Sequence, residues 1–151
     1  MVPSRVSTSY TYDPASNVAT VEYPNGLQST FTYDSLNRLT ALSTPPVSSY
    51  SYTLGATGNR TAATEQNGRT LNWSYDGINR LTNEAIASDP SGGNGAVAYG
   101  LDPVGNRLSA SSTLPRISTS IAGYSADDLM STENYDTNGN TTACSSVQSW
   151  W

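Results

Sequence analysis

Aspartate and arginine are the residues of this sequence best equipped for chemistry, and both recur. Asp13, Asp34, Asp76, Asp102 and Asp136 each stand directly after a Tyr or Leu, and Arg38, Arg60, Arg80 and Arg107 each follow an Asn. Carboxylates could ligate a hard cation or work as general acids and bases, and guanidinium forks could bind acidic sugars. The recurrence argues against catalysis, because an active site needs one constellation in one place and here the same residue returns in every segment. The expected role of the Asp is to cap a turn through its own backbone. For the Arg it is to bridge to the neighbouring repeat's Asp or to backbone carbonyls, with surface pairs adding about 0 to 1 kcal/mol each.

Other chemistries are excluded or weakened by what is missing. With no His, the His-based triads and Cys-His pairs are out, and the lone Cys144 permits neither an intrachain disulfide nor a cysteine zinc site. Gly92-Gly93-Asn94-Gly95 starts like a calcium-binding nonapeptide and Asp136-Thr137-Asn138-Gly139-Asn140 like a shortened calcium loop. Neither carries the remaining oxygen ligands, so a flexible tip and an ordinary turn are expected. Asn59-Arg60-Thr61, Asn72-Trp73-Ser74 and Asn140-Thr141-Thr142 fit the N-glycosylation pattern, which a Ser/Thr-rich chain also produces by chance. No cofactor or metal is expected. Every cation is an Arg, seven in all and scattered, so no basic patch offers itself to nucleic acid. Charged residues are 13% of the chain, too few for an acidic disordered tail. No apolar stretch approaches transmembrane length, and no signal peptide is visible. Depletion of Lys beside abundant Ser, Thr and Tyr leans towards a secreted or cell-surface setting.

The elements that position these residues are repeats. An anchor of the form aromatic-x-(Tyr/Leu)-(Asp/Gly) occurs at Tyr10-Tyr12-Asp13, Phe31-Tyr33-Asp34, Tyr52-Leu54-Gly55 and Trp73-Tyr75-Asp76, a spacing of 21 each time. Tyr99-Leu101-Asp102 and Tyr124-Ser125 follow after gaps of 26 and 23, and Tyr135-Asp136 after 11. Two follow-on signatures alternate: Asn37-Arg38-Leu39 and Asn79-Arg80-Leu81 are of one kind, Gly58-Asn59-Arg60 and Gly105-Asn106-Arg107 of the other. The unit is therefore a pair of segments, with Ser16-Asn17-Val18 and Gly139-Asn140-Thr141 as weaker copies of the second kind.

Turn chemistry identifies the segments as strands. Asn25-Gly26 and Asn67-Gly68, each between alternating runs, read as hairpin tips. Ser43-Thr44-Pro45-Pro46 and the longer run from Ser88 to Gly95 read as the intervening loops. No window shows a helical period, so the expectation is an all-β chain of tandem antiparallel hairpins forming an open or spiralling strip. Residues 1–9 read as a lead-in strand or extension, 10–142 as the repeats and 143–151 as a tail, where Trp150-Trp151 could anchor a partner. If consecutive repeats stack, Tyr10, Phe31, Tyr52, Trp73 and Tyr99 form one aromatic column. Tyr12, Tyr33, Leu54, Tyr75, Leu101, Tyr124 and Tyr135 form a second, in place of an aliphatic core.

Tyr33-Asp34-Ser35-Leu36-Asn37-Arg38-Leu39-Thr40 and Tyr75-Asp76-Gly77-Ile78-Asn79-Arg80-Leu81-Thr82 resemble the YD motif of the RHS/YD-repeat family. Leu101-Asp102-Pro103-Val104-Gly105-Asn106-Arg107 resembles its Gly-Asn-Arg variant. The resemblance runs from about Tyr10 to Asn140. It implies a strip of β-hairpins that spirals into a hollow shell, which encloses a C-terminal effector in bacterial toxins and serves adhesion in animal surface proteins. Seven anchors are too few to wrap a cavity, so a shell would need a longer parent chain or several copies.

Two functions are carried forward. The first is non-enzymatic structural material, a shell segment or self-associating fibre, because a short open sheet without Lys or end caps lacks edge protection. Its partners would be copies of itself or further repeats. The second is a module that binds glycans or cell surfaces, with exposed Tyr and Trp faces such as Trp73 as stacking platforms.

Overall fold

The computed structural model describes residues 7–144; the Trp150-Trp151 anchor and most of the expected lead-in and tail lie outside them. Every regular element there is a strand: β1 (Ser9–Tyr12), β2 (Val18–Glu22), β3 (Gln28–Tyr33), β4 (Leu39–Thr44), β5 (Ser48–Leu54), β6 (Arg60–Glu65), β7 (Thr70–Tyr75), β8 (Leu81–Ala87), β9 (Gly95–Leu101), β10 (Arg107–Ser112), β11 (Ser120–Ile121), β12 (Glu133–Tyr135) and β13 (Thr141–Cys144). The first 11 strands lie in one open antiparallel sheet in sequence order, each beside its predecessor, and β12 and β13 make a separate two-stranded ribbon. The all-β hairpin strip expected from the sequence is what the chain forms. It divides into two compact units. The first runs to Trp73 and includes Ala85–Asn94; the second is Ser74–Glu84 with the chain from Gly95 onward. No helix among the described residues is long and apolar enough to cross a membrane.

One turn geometry builds most of these connections. In the turns at 13–17, 23–27, 34–38, 55–59, 65–69, 76–80, 102–106, 125–129 and 136–140, the first residue's carbonyl accepts the N–H of the fourth. The first residue's N–H, in turn, donates to the carbonyl of the fifth. The fourth residue always has positive φ: Ser16, Gly26, Asn37, Gly58, Gly68, Asn79, Gly105, Asp128 and Gly139. This is the three-residue hairpin loop that ends in a left-handed residue, which explains why Gly or Asn so often occupies that position. Three connections depart from it: 44–47, with a cis Pro45–Pro46 bond, the longer loop after β8, and the segment between β10 and β11.

After the turns in the Tyr-Asp series, the returning strand carries one extra residue. Thr32 pairs with Ala41 but Tyr33 with Leu39, and Thr53 pairs with Ala62 but Leu54 with Arg60. The bulged residues are Thr40 and Thr61. Each donates its hydroxyl to the opposite strand's carbonyl, Thr32 and Thr53 respectively, at 3.1 and 3.2 Å. Thr82 makes the same bond to Ser74 at 3.1 Å. A bulge leaves ladder groups unpaired, and the β-branched hydroxyl supplies the missing donor.

The bulges change the aromatic columns. In the first unit the direct cross-strand rows are Tyr10–Val21–Ser29, Phe31–Leu42–Tyr50–Glu65 and Tyr52–Ala63–Leu71. Phe31 is therefore level with Tyr50 rather than Tyr52, and Tyr52 with Leu71 rather than Trp73. The row advances by 19 residues where the motif advances by 21, so each hairpin pair slips by two. Aliphatic residues on the adjacent strands stand opposite the aromatic ones: Val21 opposite Tyr10, Leu42 opposite Phe31 and Tyr50, and Ala63 opposite Tyr52. Among the described residues three such facing positions are buried, Val21 opposite Tyr10, Ala63 opposite Tyr52 and Ala110 opposite Tyr99, and the other buried residues are Val97 and Ser29. Tyr50 and Tyr52 do stack, but along one strand, with centroids 6.4 Å apart and planes within 1°. Tyr10 and Tyr12, on β1, stay 55% and 62% exposed.

Candidate functional site

Each aspartate of the Tyr-Asp series sits at the first position of a turn, and one geometry repeats. In Asp13, Asp34, Asp76 and Asp136, Oδ1 accepts the N–H groups two and four residues on, at 2.9 to 3.0 Å. Asp102 accepts instead from Gly105 and Asn106, at 2.7 and 2.8 Å. The second carboxylate oxygen holds the side chain four residues on. That side chain is Arg38 for Asp34 (2.7 Å) and Arg80 for Asp76 (2.6 Å). It is Asn17 for Asp13 (3.0 Å), Asn106 for Asp102 (2.9 Å) and Asn140 for Asp136 (2.9 Å). The other four turns begin with Tyr23, Gly55, Glu65 and Ser125; the Ser125 hydroxyl accepts from the N–H groups of Asp127 and Leu129 at 3.2 Å.

These bonds hold the carboxylates in the charged form. The side-chain and backbone donors of Asn17 keep Asp13 below its ordinary value, and those of Asn140 do so for Asp136. For Asp34 and Asp76 the strongest influence is the backbone N–H of Arg38 and of Arg80. At Asp102 desolvation is the largest influence and pushes upward, but the Asn106, Gly105 and Val104 donors together outweigh it.

The residue four after the Asp also reaches the next turn. In the first unit Asn17 Nδ2 donates to Asn37 Oδ1 at 2.9 Å, and Arg38 Nη1 to the Gly55 carbonyl at 3.1 Å. In the second, Arg80 Nη1 donates to the Asp102 carbonyl at 2.7 Å, and Asn106 Nδ2 to Asp128 Oδ1 at 2.7 Å. Within each unit successive turns along one edge are thus stapled together. The Arg staples reach a neighbouring backbone carbonyl, while their carboxylate partner belongs to their own turn.

Arg60 and Arg107 belong to a different position. In the turns at 55–59 and 102–106 the fifth residue is Asn59 or Asn106, so Arg60 and Arg107 come one place later, at the start of the next strand, facing Leu54 and Leu101. Their guanidinium groups lie over aromatic rings, Arg60 4.5 Å from the centroid of Tyr52 and Arg107 5.9 Å from that of Tyr99. The four arginines that looked equivalent in sequence are two pairs with different partners. Asn17, Asn106 and Asn140, the true counterparts of Arg38 and Arg80, were hidden by their lack of charge; counting four from each Asp would have found them.

The other singled-out residues are more scattered. Leu54 and Leu101 end β5 and β9, and Tyr33 and Tyr75 end β3 and β7. The Tyr33 hydroxyl donates to the Val18 carbonyl at 3.0 Å. Tyr124 lies outside the named strands in a single bridge to Met130, and the Tyr135 hydroxyl accepts the Met130 N–H at 3.0 Å. Among the described residues no three His, Cys, Asp or Glu converge as a metal site. Asp136, start of the calcium-like stretch, spends its carboxylate on turn donors. Arg69, not singled out in sequence, pairs with Glu65 at 2.9 Å and Asp89 at 3.4 Å, joining a hairpin tip to the loop after β8.

No curated protein matches the sequence. The fold is shared with solved structures of toxin assemblies. The crystal structure of TcdB2-TccC3-Cdc42 matches with a TM-score of 0.67 at 18% identity, over 82% of this chain and 7% of that one. A Photorhabdus luminescens Tc holotoxin pore matches with a TM-score of 0.67 at 18% identity, over 83% and 6%. TcdB2-TccC3 without its hypervariable C-terminal region matches with a TM-score of 0.65 at 20% identity, over 82% and 6%. The chain therefore spans only 6 to 7% of the length of these proteins. The family model described as RHS Repeat matches residues 12–45, which take in the turn at 34–38 with its Asp34–Arg38 pair, so that this segment of the chain is an RHS repeat.

Proposed function

We propose that this chain is non-enzymatic wall material, a run of β-strip whose edges are completed by further repeats of a longer chain or by copies of itself, in the setting of a secreted toxin-type shell. The observation that carries the reading is the pairing of repeated, stapled turns with an almost absent core. Among the described residues only Val21, Ala63, Val97 and Ala110 are buried apolar side chains. A sheet of this kind derives its stability from each strand's neighbours, as repeat arrays do, and is not complete at its ends. Strand β1 shows the consequence, since all four of its residues are exposed, Tyr10 and Tyr12 included. The likeness in fold to the TcdB2-TccC3 structures supports the shell setting.

Static light scattering over a wide concentration range, with negative-stain electron microscopy of the same samples, tests the association. Rising mass with concentration and strips or fibres in the micrographs are expected. A sharp monomer with undiminished β-signal at every concentration would overturn completion by copies. Completion by further repeats has a separate readout: adding a preceding hairpin pair should raise the melting temperature.

A further inference from the structure

The staples between turns run one way along the edge and come in two kinds. Arg38 and Arg80, each fifth in its turn, hold their own aspartate with Nε and pass Nη1 to a main-chain carbonyl of the next turn, that of Gly55 or Asp102. Asn17 and Asn106, fifth in theirs, reach instead a side-chain oxygen on the fourth residue of the next turn, Asn37 or Asp128. Reach explains the difference. The long guanidinium fork meets the backbone itself, whereas the short amide needs an acceptor carried out to it on a side chain.

The receiving turns differ to match. Those that take an arginine, 55–59 and 102–106, have Gly fourth and Asn fifth. Their first carbonyl uses both lone pairs: Gly55 accepts from Gly58 at 3.0 Å and Arg38 at 3.1 Å, and Asp102 from Gly105 at 3.2 Å and Arg80 at 2.7 Å. The turn at 13–17 is of this arginine-receiving kind, since Asn17 is fifth and the fourth residue, Ser16, has no carbonyl oxygen on its side chain. Among the described residues, however, the Asp13 carbonyl accepts only the Ser16 N–H, at 2.9 Å. Strand β1 beside it is open as well, exposed at all four residues and the end strand of its sheet, with β2 on its one paired side. Arg38 and Arg80 are already spent on Gly55 and Asp102.

We propose that this edge is the docking site of an Asn-Arg turn from a further repeat, whose guanidinium donates to the Asp13 carbonyl while the strand after that arginine pairs with β1. The proposal rests on the reading of the chain as strip completed at its edges, and it names what completes this one: an arginine-bearing hairpin, not a second copy. The register follows from the pairing inside the chain. After Arg38, Ala41 lies opposite Ser51 and Leu42 opposite Tyr50, and Ser51 and Tyr50 precede Gly55 as Ser9 and Thr8 precede Asp13. The docking strand therefore places the counterparts of Ala41 and Leu42 opposite Ser9 and Thr8.

Fusing a copy of residues 28–44, which carry the turn at 34–38, ahead of Met1 of the full chain tests the site. Three versions are compared with the unfused chain: the segment as it stands, the segment with Arg38→Gln in the added copy alone, and residues 48–65, whose turn ends in Asn59, in its place. The readouts are the melting temperature and the carbonyl carbon-13 shift of Asp13, which reports a new hydrogen bond at that oxygen. The first version should raise the melting temperature, Arg38→Gln should remove about 2 to 4 °C of the gain, and the Asp13 carbonyl should shift in the first version alone. If either altered version matched the first in both readouts, the arginine assignment would fall while completion by further repeats stood. No gain in any version would remove that broader reading too. An Asp13 shift that grew with concentration in the unfused chain would make a second copy the donor and overturn the proposal.

Discussion

The guanidinium of Arg60 lies 4.5 Å from the ring centroid of Tyr52, two strand positions before Leu54, the residue that Arg60 faces across the ladder. In the other kind of repeat the same cross-strand pair is Tyr33 and Leu39. The two kinds of segment are therefore alternative solutions at one position. A Tyr with an aliphatic partner is replaced by a Leu with an Arg, and the Arg extends over the preceding aromatic ring. Arg60→Gln should cost about 0.5 to 1 kcal/mol, the worth of an exposed cation–π contact, read as a lower melting temperature. Arg38→Gln should also destabilise, but through the Asp34 and Gly55 bonds, so its effect should shrink when Asp34 is already Asn. An Arg60→Gln effect that shrank in the same way would contradict the two-pair assignment.

The aspartates set the response to acid. Asp13, Asp34, Asp76, Asp102 and Asp136 all have carboxyls held below the ordinary range when folded. A group whose folded pKa is depressed binds fewer protons folded than unfolded. Its stabilisation is present above the unfolded value of about 3.9 and is lost as pH falls through the folded value. The melting temperature should thus be nearly flat between about pH 7 and 5 and fall below about pH 4. Replacing Asp34 and Asp76 together by Asn should lower it at neutral pH and flatten the acid limb. An unchanged acid limb in that double variant would place the titration elsewhere.

The left-handed turn position offers a test of opposite signs. Ser16 has φ 66° where all but one of the other turns have Gly or Asn, whereas Gly105 has φ 109°. A left-handed conformation costs an L-residue about 1 to 2 kcal/mol, and glycine avoids that cost. Ser16→Gly should therefore raise the denaturant midpoint and Gly105→Ala lower it, although the latter position has open space for a Cβ.

Much of this turn chemistry was legible in the sequence, because a turn is local. Asp followed three places later by Asn or Gly marks the carboxylate cap and the left-handed residue. The strand order was legible too, since short turns leave each strand no neighbour but the next. What the sequence concealed depends on the ladder. Counting along the chain places Phe31 with Tyr52, but the register places it level with Tyr50 across Leu42. The same displacement hid the distinction between Arg38 and Arg60: the Asn-Arg dipeptide looks alike in both, and only its distance from the turn's first residue differs.

The interleaved alanines should be sensitive to size. Ala63 stands between Tyr52 and Leu71, and Ala110 faces Tyr99, both buried. A Phe at either position must displace a neighbouring ring, and overpacking of this kind costs about 1 to 3 kcal/mol. The expected readout is a lower urea midpoint for Ala63→Phe. Ala62→Phe, on the opposite face of the same strand, serves as control. If the Ala63 variant were as stable as that control, the opposed aromatic and small residues would not be packed as a layer.

The bulged threonines give the last test. Thr40 and Thr61 each sit out of the ladder and donate a hydroxyl to the carbonyl across the strand, at 3.1 and 3.2 Å. Valine has the same shape and β-branching but no donor, so Thr→Val isolates the hydrogen bond from strand propensity. The change at either site should cost about 0.5 to 1.5 kcal/mol, the net worth of one such bond, and the two should add, since each lies in its own bulge. Hydrogen exchange should also quicken locally, at amides of β3 and β4 for Thr40→Val and of β5 and β6 for Thr61→Val. Wild-type stability in the double variant would mean that water satisfies the bulge carbonyls equally well, and the threonine would then be present for its β-branching alone.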